Sequence, residues 1–251
     1  NAAQDGFINE AVFEEQLTSI RLDGTYTFDD GFVTAVTAGV HYSDRSKSKY
    51  NRGWYGTAPS FPYVGDTVPE QYRVGLADLN WIGLGDIAAF DVYSMYQDGY
   101  YVLTDSMNLQ PDRIGDTYTI DETVTTLFTK VDFAKDIADY YVSGNIGGQY
   151  IKTKQSSSSA FGTIGADLYV EATPLVSDIS YSNFLPSINI NVDLNNDHIV
   201  RFAASKTISR ARFDYLKAGG AVKFEPNYDV LVNDTESRGD GPWQANSGNP
   251  T

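Results

Sequence analysis

Cysteine is absent from the 251 residues, which removes disulfides, thiolate metal sites and cysteine nucleophiles together. Histidine is nearly so. His41 and His198 are the only two, too few for a histidine-rich metal site. No run approaches the ~20 consecutive apolar residues of a membrane helix, so a helical span is excluded. Positive charge is scarce as well. Eighteen Lys and Arg face 33 Asp and Glu, for a net charge of -15. A nucleic-acid partner is not expected, because its phosphates require a positive face. No basic, apolar leader opens the chain, since Asn1–Gly6 is polar. The first residue is not Met, and Asn246–Thr251 reads as a loop, so a fragment is expected. What is plentiful is aromatic surface. Eighteen Tyr and 13 Phe are too many for a disordered chain.

The dominant pattern is alternation with period two, the mark of a strand with unlike faces. From Thr18 to Phe28, Ile20, Leu22, Tyr26 and Phe28 alternate with Ser19, Arg21, Asp23 and Thr27. Asp29-Asp30-Gly31 supplies turn chemistry, and the return puts Phe32, Val36, Ala38, Val40 and Tyr42 on one face. The design recurs from Thr123 to Phe133, through a turn at Ala134–Asp139, into Tyr141–Thr153. A third copy alternates Ile188, Ile190 and Val192 with Asn189, Asn191 and Asp193. It turns at Asn195–Asp197 and returns as Val200, Phe202 and Ala204 opposite Arg201, Ala203 and Ser205.

Between hairpins the chain changes character. Arg45 to about Val74 is rich in Gly, Pro, Ser and Tyr, Gln155–Ser159 is low-complexity, and Phe213–Thr251 is acidic and mostly aperiodic. Connections of roughly 25–50 residues far exceed the usual 4–6. Ile82–Tyr101 fits a short helix or a strand, and Phe213–Lys217 before Gly219-Gly220 fits one helical turn with a glycine stop. Two architectures share this alternation. A secreted or surface β-sandwich that binds glycans or mediates adhesion would bury the apolar face between sheets. An outer-membrane barrel would turn it to lipid and line a lumen with the polar face. Strands of about 10–15 residues, short turns alternating with long loops, and aromatics clustered at the turns favour the barrel.

Particular residues carry a resemblance. Leu185-Pro-Ser-Ile-Asn-Ile-Asn-Val-Asp-Leu194, a short Asn/Asp turn, and Arg201-Phe-Ala-Ala-Ser-Lys-Thr-Ile-Ser-Arg210 resemble the barrel signature of TonB-dependent outer-membrane receptors. Gly144-Asn-Ile-Gly-Gly-Gln-Tyr-Ile-Lys-Thr153 is similar to another strand of that family, and Ser247-Gly-Asn-Pro250 to the GNP preceding its next strand. Ala211 stands where the family pattern has Pro, and Gln149 where it often has Arg. The resemblance implies an all-β, antiparallel transmembrane barrel segment, with residues 1–251 forming part of one barrel domain. The plug domain and C-terminal closing strands would lie outside it. It further implies an outer-membrane location, uptake of a small nutrient ligand, coupling to the inner-membrane protein TonB through that plug, and contact with outer-membrane lipid.

Candidate chemistry is thin. Asp193–Asp197 lacks the Gly and terminal Glu of an EF-hand loop and reads as a turn. Ser205, His198 and Asp193 cannot meet as a triad, so neither an enzyme nor a metal or cofactor site is expected. Glu14, Glu15, Asp23, Glu122, Asp132 and Asp136 read as solvated lumen and turn charges, and Arg21 and Arg201 as partners of plug or lumen acids. The ligand-binding candidates are Trp54, Tyr55, Trp81 and Trp243. They are expected, like Phe61, Tyr63 and Tyr72, on extracellular loops, where rings stack on sugars. The acidic balance is compatible with a neutral oligosaccharide and disfavours anionic chelates.

Overall fold

The computed structural model describes residues 6–60, 67–195, 198–224 and 243–250. It is 69% strand and 11% helix, a curled antiparallel sheet with the shape of a half-barrel. The wall strands are β1 (Gly6–Thr27), β2 (Val33–Thr57), β6 (Tyr118–Ile137), β7 (Tyr140–Ile164), β8 (Val170–Asn195) and β9 (His198–Ser205). They pair as consecutive neighbours in that order. The connection after β2 carries a small hairpin of β3 (Arg73–Asp78) and β4 (Asp86–Phe90), then helix α1 (Val92–Gln97), β5 (Val102–Asp105) and α2 (Pro111–Gly115). The strand and helix expected as alternatives for residues 82–101 thus both form, as β4 and α1. Past β9 come β10 (Gly220–Phe224) and β11 (Trp243–Ser247).

Most wall strands are longer than the alternation suggested. Arg45–Thr57 continues β2, and Gln155–Ser159 continues β7. Serine and glycine obscured both stretches, because packing and cross-strand pairing outweigh their weak strand propensity. The β7–β8 connection is consequently short, residues 165–169. The second turn is also tighter than Ala134–Asp139, since β6 runs to Ile137 and only Ala138 and Asp139 remain, with Ala138 at φ 56°. In the first turn Gly31 takes φ 117°, a conformation that needs glycine. In the third turn Asn196 and Asp197 lie outside the described residues, though Asn195 pairs with His198.

Register fixes orientation. Val33 lies opposite Phe133, and Tyr141 opposite Asp193, so all three turns share one end of the sheet.

Register also sorts the faces. Leu22 pairs with Val40, Val40 with Leu127, Leu127 with Tyr150, and Tyr150 with Phe184, all on one side. Val36, Val131, Ile146 and Ile188 form a parallel row, and Val142, Val192 and Val200 another. The opposite face carries Arg21, His41, Thr126 and, further along, Asn145, Asn189, Asn191 and Arg201. The apolar side is bare. Leu22 is 65% exposed and Phe202 58% exposed, and no second sheet covers them among the described residues. In water, each such aliphatic side chain would forgo about 1.5–3 kcal/mol of burial. A sandwich would have covered this face; lipid is the solvent that suits it.

The band has limits. On β8 it runs from Phe184 to Val192, nine residues, close to the ~9–11 that a tilted strand needs to cross hydrocarbon. Beyond it the same face turns polar, with Thr18, Asp44, Thr123, Lys154 and Ser180 paired in sequence across the strands. Aromatic rings mark its other rim, where Phe32 stacks on Phe133 at 5.0 Å and Tyr26 meets Phe28 edge-on at 4.8 Å. The upper halves of the strands therefore stand above the membrane.

Ile188 sits midway along the band. Ile188→Arg should destabilise the bilayer-reconstituted protein by about 2–4 kcal/mol. Asn189→Arg, one residue on and facing the lumen, should stay within about 0.5 kcal/mol. Urea unfolding in vesicles reads both; equal costs would contradict the assigned faces.

Candidate functional site

The densest side-chain network lies on the concave, polar face above the membrane band. From β9, at the sheet edge, residues 206–219 return across this face as a strap and lead into β10. The sheet supplies a docking edge for it. β6 pairs with β7 as far as Thr119↔Ser158, whereas β7 continues to Ile164. The edge left open takes β10 in parallel, Gly220 against Phe161 and Ala221 against Gly162. Where the strap crosses α2, a Cβ on Gly219 would run into Ser159 and the carbonyl of Gly115, so glycine permits the close approach.

The strap's residues are pinned one after another. The Arg210 guanidinium donates to Glu122 at 3.0 Å and to Thr153 at 3.4 Å. A 3-10 turn at Phe213–Tyr215, the helical turn expected from the sequence, inserts Phe213 against Tyr118 and Ile120, with Leu216 beside them. Asp214 accepts from the Tyr118 hydroxyl at 2.6 Å, from Lys47 at 3.3 Å and from Arg212 at 3.0 Å. Lys217 donates to Asp116 at 2.7 Å, Lys49 pairs with the same carboxylate, and the Ala218 amide donates to Ser157 at 2.8 Å.

These contacts shift the titrating groups. The Tyr118 hydroxyl, with Lys47 and Arg212, holds the Asp214 carboxyl below the ordinary range against the opposing effect of burial. For Asp116, burial pushes upward, but the hydrogen bonds and charges of Lys217 and Lys49 outweigh it and the net shift is downward. Burial, reinforced by Asp214, drives the Tyr118 phenol far up, so it stays a donor.

Beneath the strap is a cavity of about 350 Å³, lined by Arg45, Lys47, Glu122, Arg210, Arg212, Phe213 and Asp214. Arg45 is held on two sides. Its guanidinium donates to Glu15 at 2.8 Å and lies over the Phe213 ring at 4.2 Å. Among the described residues, no three His, Asp or Glu come together to hold a metal ion.

The sequence candidates do not form one site. Trp54 and Tyr55 are in β2, not on a loop, and as neighbours in a strand they point to opposite faces. Trp54 lies under Arg52 at 5.7 Å on the outer side. Tyr55 packs against Phe7 at 5.2 Å on the concave side, where burial raises its pKa against the pull of Arg113. Trp81 stands 80% exposed at the tip of the β3–β4 hairpin, and Trp243 starts β11, 63% exposed. Tyr72 is buried and bonded to Asp98, while Phe61 and Tyr63 lie outside the described residues.

Glu122 is a correction. Expected as a solvated charge, its side chain is only 8% exposed and paired with Arg210. Glu15 and Asp23 do sit at the surface, paired with Arg45 and Arg21, and Asp132 is partly exposed beside Lys130. The cluster around Asp214 escaped the sequence reading. Its one local signal is Arg45-x-Lys47-x-Lys49, a cationic stripe at strand period.

Comparison with protein families matches the chain, over residues 2–251, to the family described as TonB dependent receptor-like, beta-barrel. No curated protein and no solved structure matches the chain.

The two depressed carboxyls set a pH dependence for the strap. Their stabilising pairs are fully formed above the unfolded-state value of about 3.9 and are lost as pH falls through the lower folded-state values. Hydrogen exchange of residues 206–219 should therefore be unchanged from neutral pH to about 5 and accelerate, after correction for intrinsic rates, only below about 4. Release already near pH 6 would contradict the anchoring.

Proposed function

Because the chain belongs to the TonB-dependent receptor-like β-barrel family, we propose that it forms part of the barrel wall of an uptake receptor that imports an oligosaccharide. Barrels of this family lie in the outer membrane and serve reception and transport rather than catalysis. The observation that carries the reading is the two-sided wall, a bare aliphatic band outside and a polar, charged face within.

The outer edges of β1 and β9 have no strand partner among the described residues. Unpaired backbone groups in hydrocarbon cost several kcal/mol each, so these edges call for further barrel strands. Residues 1–251 are accordingly one section of a larger barrel domain, whose plug and closing strands belong to the rest of the protein. The plug carries the coupling to TonB. Arg201, on the concave face, is placed to meet a plug acid.

Ligand capture falls to the aromatics above the membrane. Trp81 and Trp243 expose most of their rings at the ends of hairpins, as a sugar-stacking platform would. Tyr55 lines the concave approach and Trp54 the outer rim.

Replacing Trp54, Tyr55, Trp81 and Trp243 singly by Ala in the intact receptor should weaken oligosaccharide binding by about 1–3 kcal/mol at each true anchor. Barrel assembly should be unaffected. Calorimetric titration decides it. Unchanged affinity in all four, with altered protease sensitivity of the connections, would assign these rings to packing and overturn their ligand role.

A further inference from the structure

The chain is strongly acidic, yet the cavity under the strap is not. Arg45, Lys47, Arg210 and Arg212 line it, against the carboxylates of Glu122 and Asp214. Adding Glu15, which pairs with Arg45 from the neighbouring strand, still leaves four cations to three anions. We propose that this cavity is a subsite for an anionic group on the imported ligand, a sugar carboxylate such as that of a uronic-acid unit. The inference rests on the receptor reading above and narrows its ligand class.

Three observations support a carboxylate there. First, donors remain. Arg212 gives one terminal nitrogen to Asp214, and its side chain is 74% exposed, so most of its five N–H groups stay available for a planar two-oxygen partner. Secondly, the cationic groups are already ordered. Arg45 is fixed between Glu15 and the Phe213 ring, and Arg210 between Glu122 and Thr153. Ordering them on binding then costs little. Thirdly, the space suits a small group. About 350 Å³ is at the lower end of ligand pockets and leaves room for one sugar ring with its carboxylate. Glu122 is paired with Arg210, and Asp214 with Lys47, Arg212 and the Tyr118 hydroxyl, so the incoming anion meets the surplus charge.

The experiment compares two ligands on the intact receptor in detergent micelles. One is an oligouronide; the other is the same oligosaccharide with its carboxyl groups reduced to alcohols. The oligouronide should bind tighter by about tenfold at low salt, the size of one hydrogen bond to a charged group. The difference should shrink as salt is raised. Arg212→Gln should remove most of that preference and lower affinity for the reduced form far less than for the oligouronide. Lys47→Met provides a second reading, with thermal unfolding confirming that each variant is folded. Equal binding of the two ligands overturns the anionic subsite but leaves the receptor reading standing. A preference that survives in both variants also overturns it, since the charge would be read elsewhere. Binding of neither ligand overturns both.

Discussion

Lipid is the constraint on which the rest of this structure depends. Within hydrocarbon no water remains to satisfy a stray amide, so each backbone group must find its partner in the next strand. The successive pairing of β1, β2, β6, β7, β8 and β9 meets that demand within the section. The same solvent inverts the usual distribution of side chains. Leucine, isoleucine and phenylalanine face outward, and arginine, asparagine and threonine face in. Because side chains alternate, a slip of one residue would exchange every lipid-facing group for a lumenal one, so the membrane itself enforces the register.

Above the membrane the strands obey different rules. Their outer face becomes polar within two residues of Tyr42 and Phe184, and the concave face acquires a small core of its own. Tyr118, Ile120 and Phe213 are buried there because the strap covers them. Around that core, charge is organised by sharing: Asp214 serves Lys47, Arg212 and the Tyr118 hydroxyl together, and Asp116 serves Lys49 and Lys217. A partly exposed ion pair contributes little alone. Several pairs meeting at a half-buried carboxylate hold a segment that has no strand partners along most of its length.

How much of this was legible depends on the periodicity of each stretch. Ile188, Ile190 and Val192 against Asn189, Asn191 and Asp193 announced both faces, and Gly31 announced its turn. The upper halves of β2 and β7 were hidden, because Ser46, Ser48, Ser156 and Ser158 give the outer face no apolar signal once it leaves lipid. Trp54 and Tyr55 looked like loop residues for that reason. The strap network was out of reach. Asp214 meets Lys47 across 167 positions of chain, and Arg210 meets Glu122 across 88, contacts that no local pattern encodes.

The central claim is that one face of this wall meets lipid and the other an aqueous lumen. The chain contributes no cysteine of its own, so single cysteines introduced from Phe184 to Asp193 can carry a nitroxide label one at a time. Relaxation enhancement by oxygen, which concentrates in lipid, and by a polar nickel chelate, which stays in water, then reports the surroundings of each position in the reconstituted receptor. The account predicts oxygen maxima at residues 184, 186, 188, 190 and 192, and chelate maxima at the residues between them. Even positions shielded from both reagents, or a profile without period two, would contradict it.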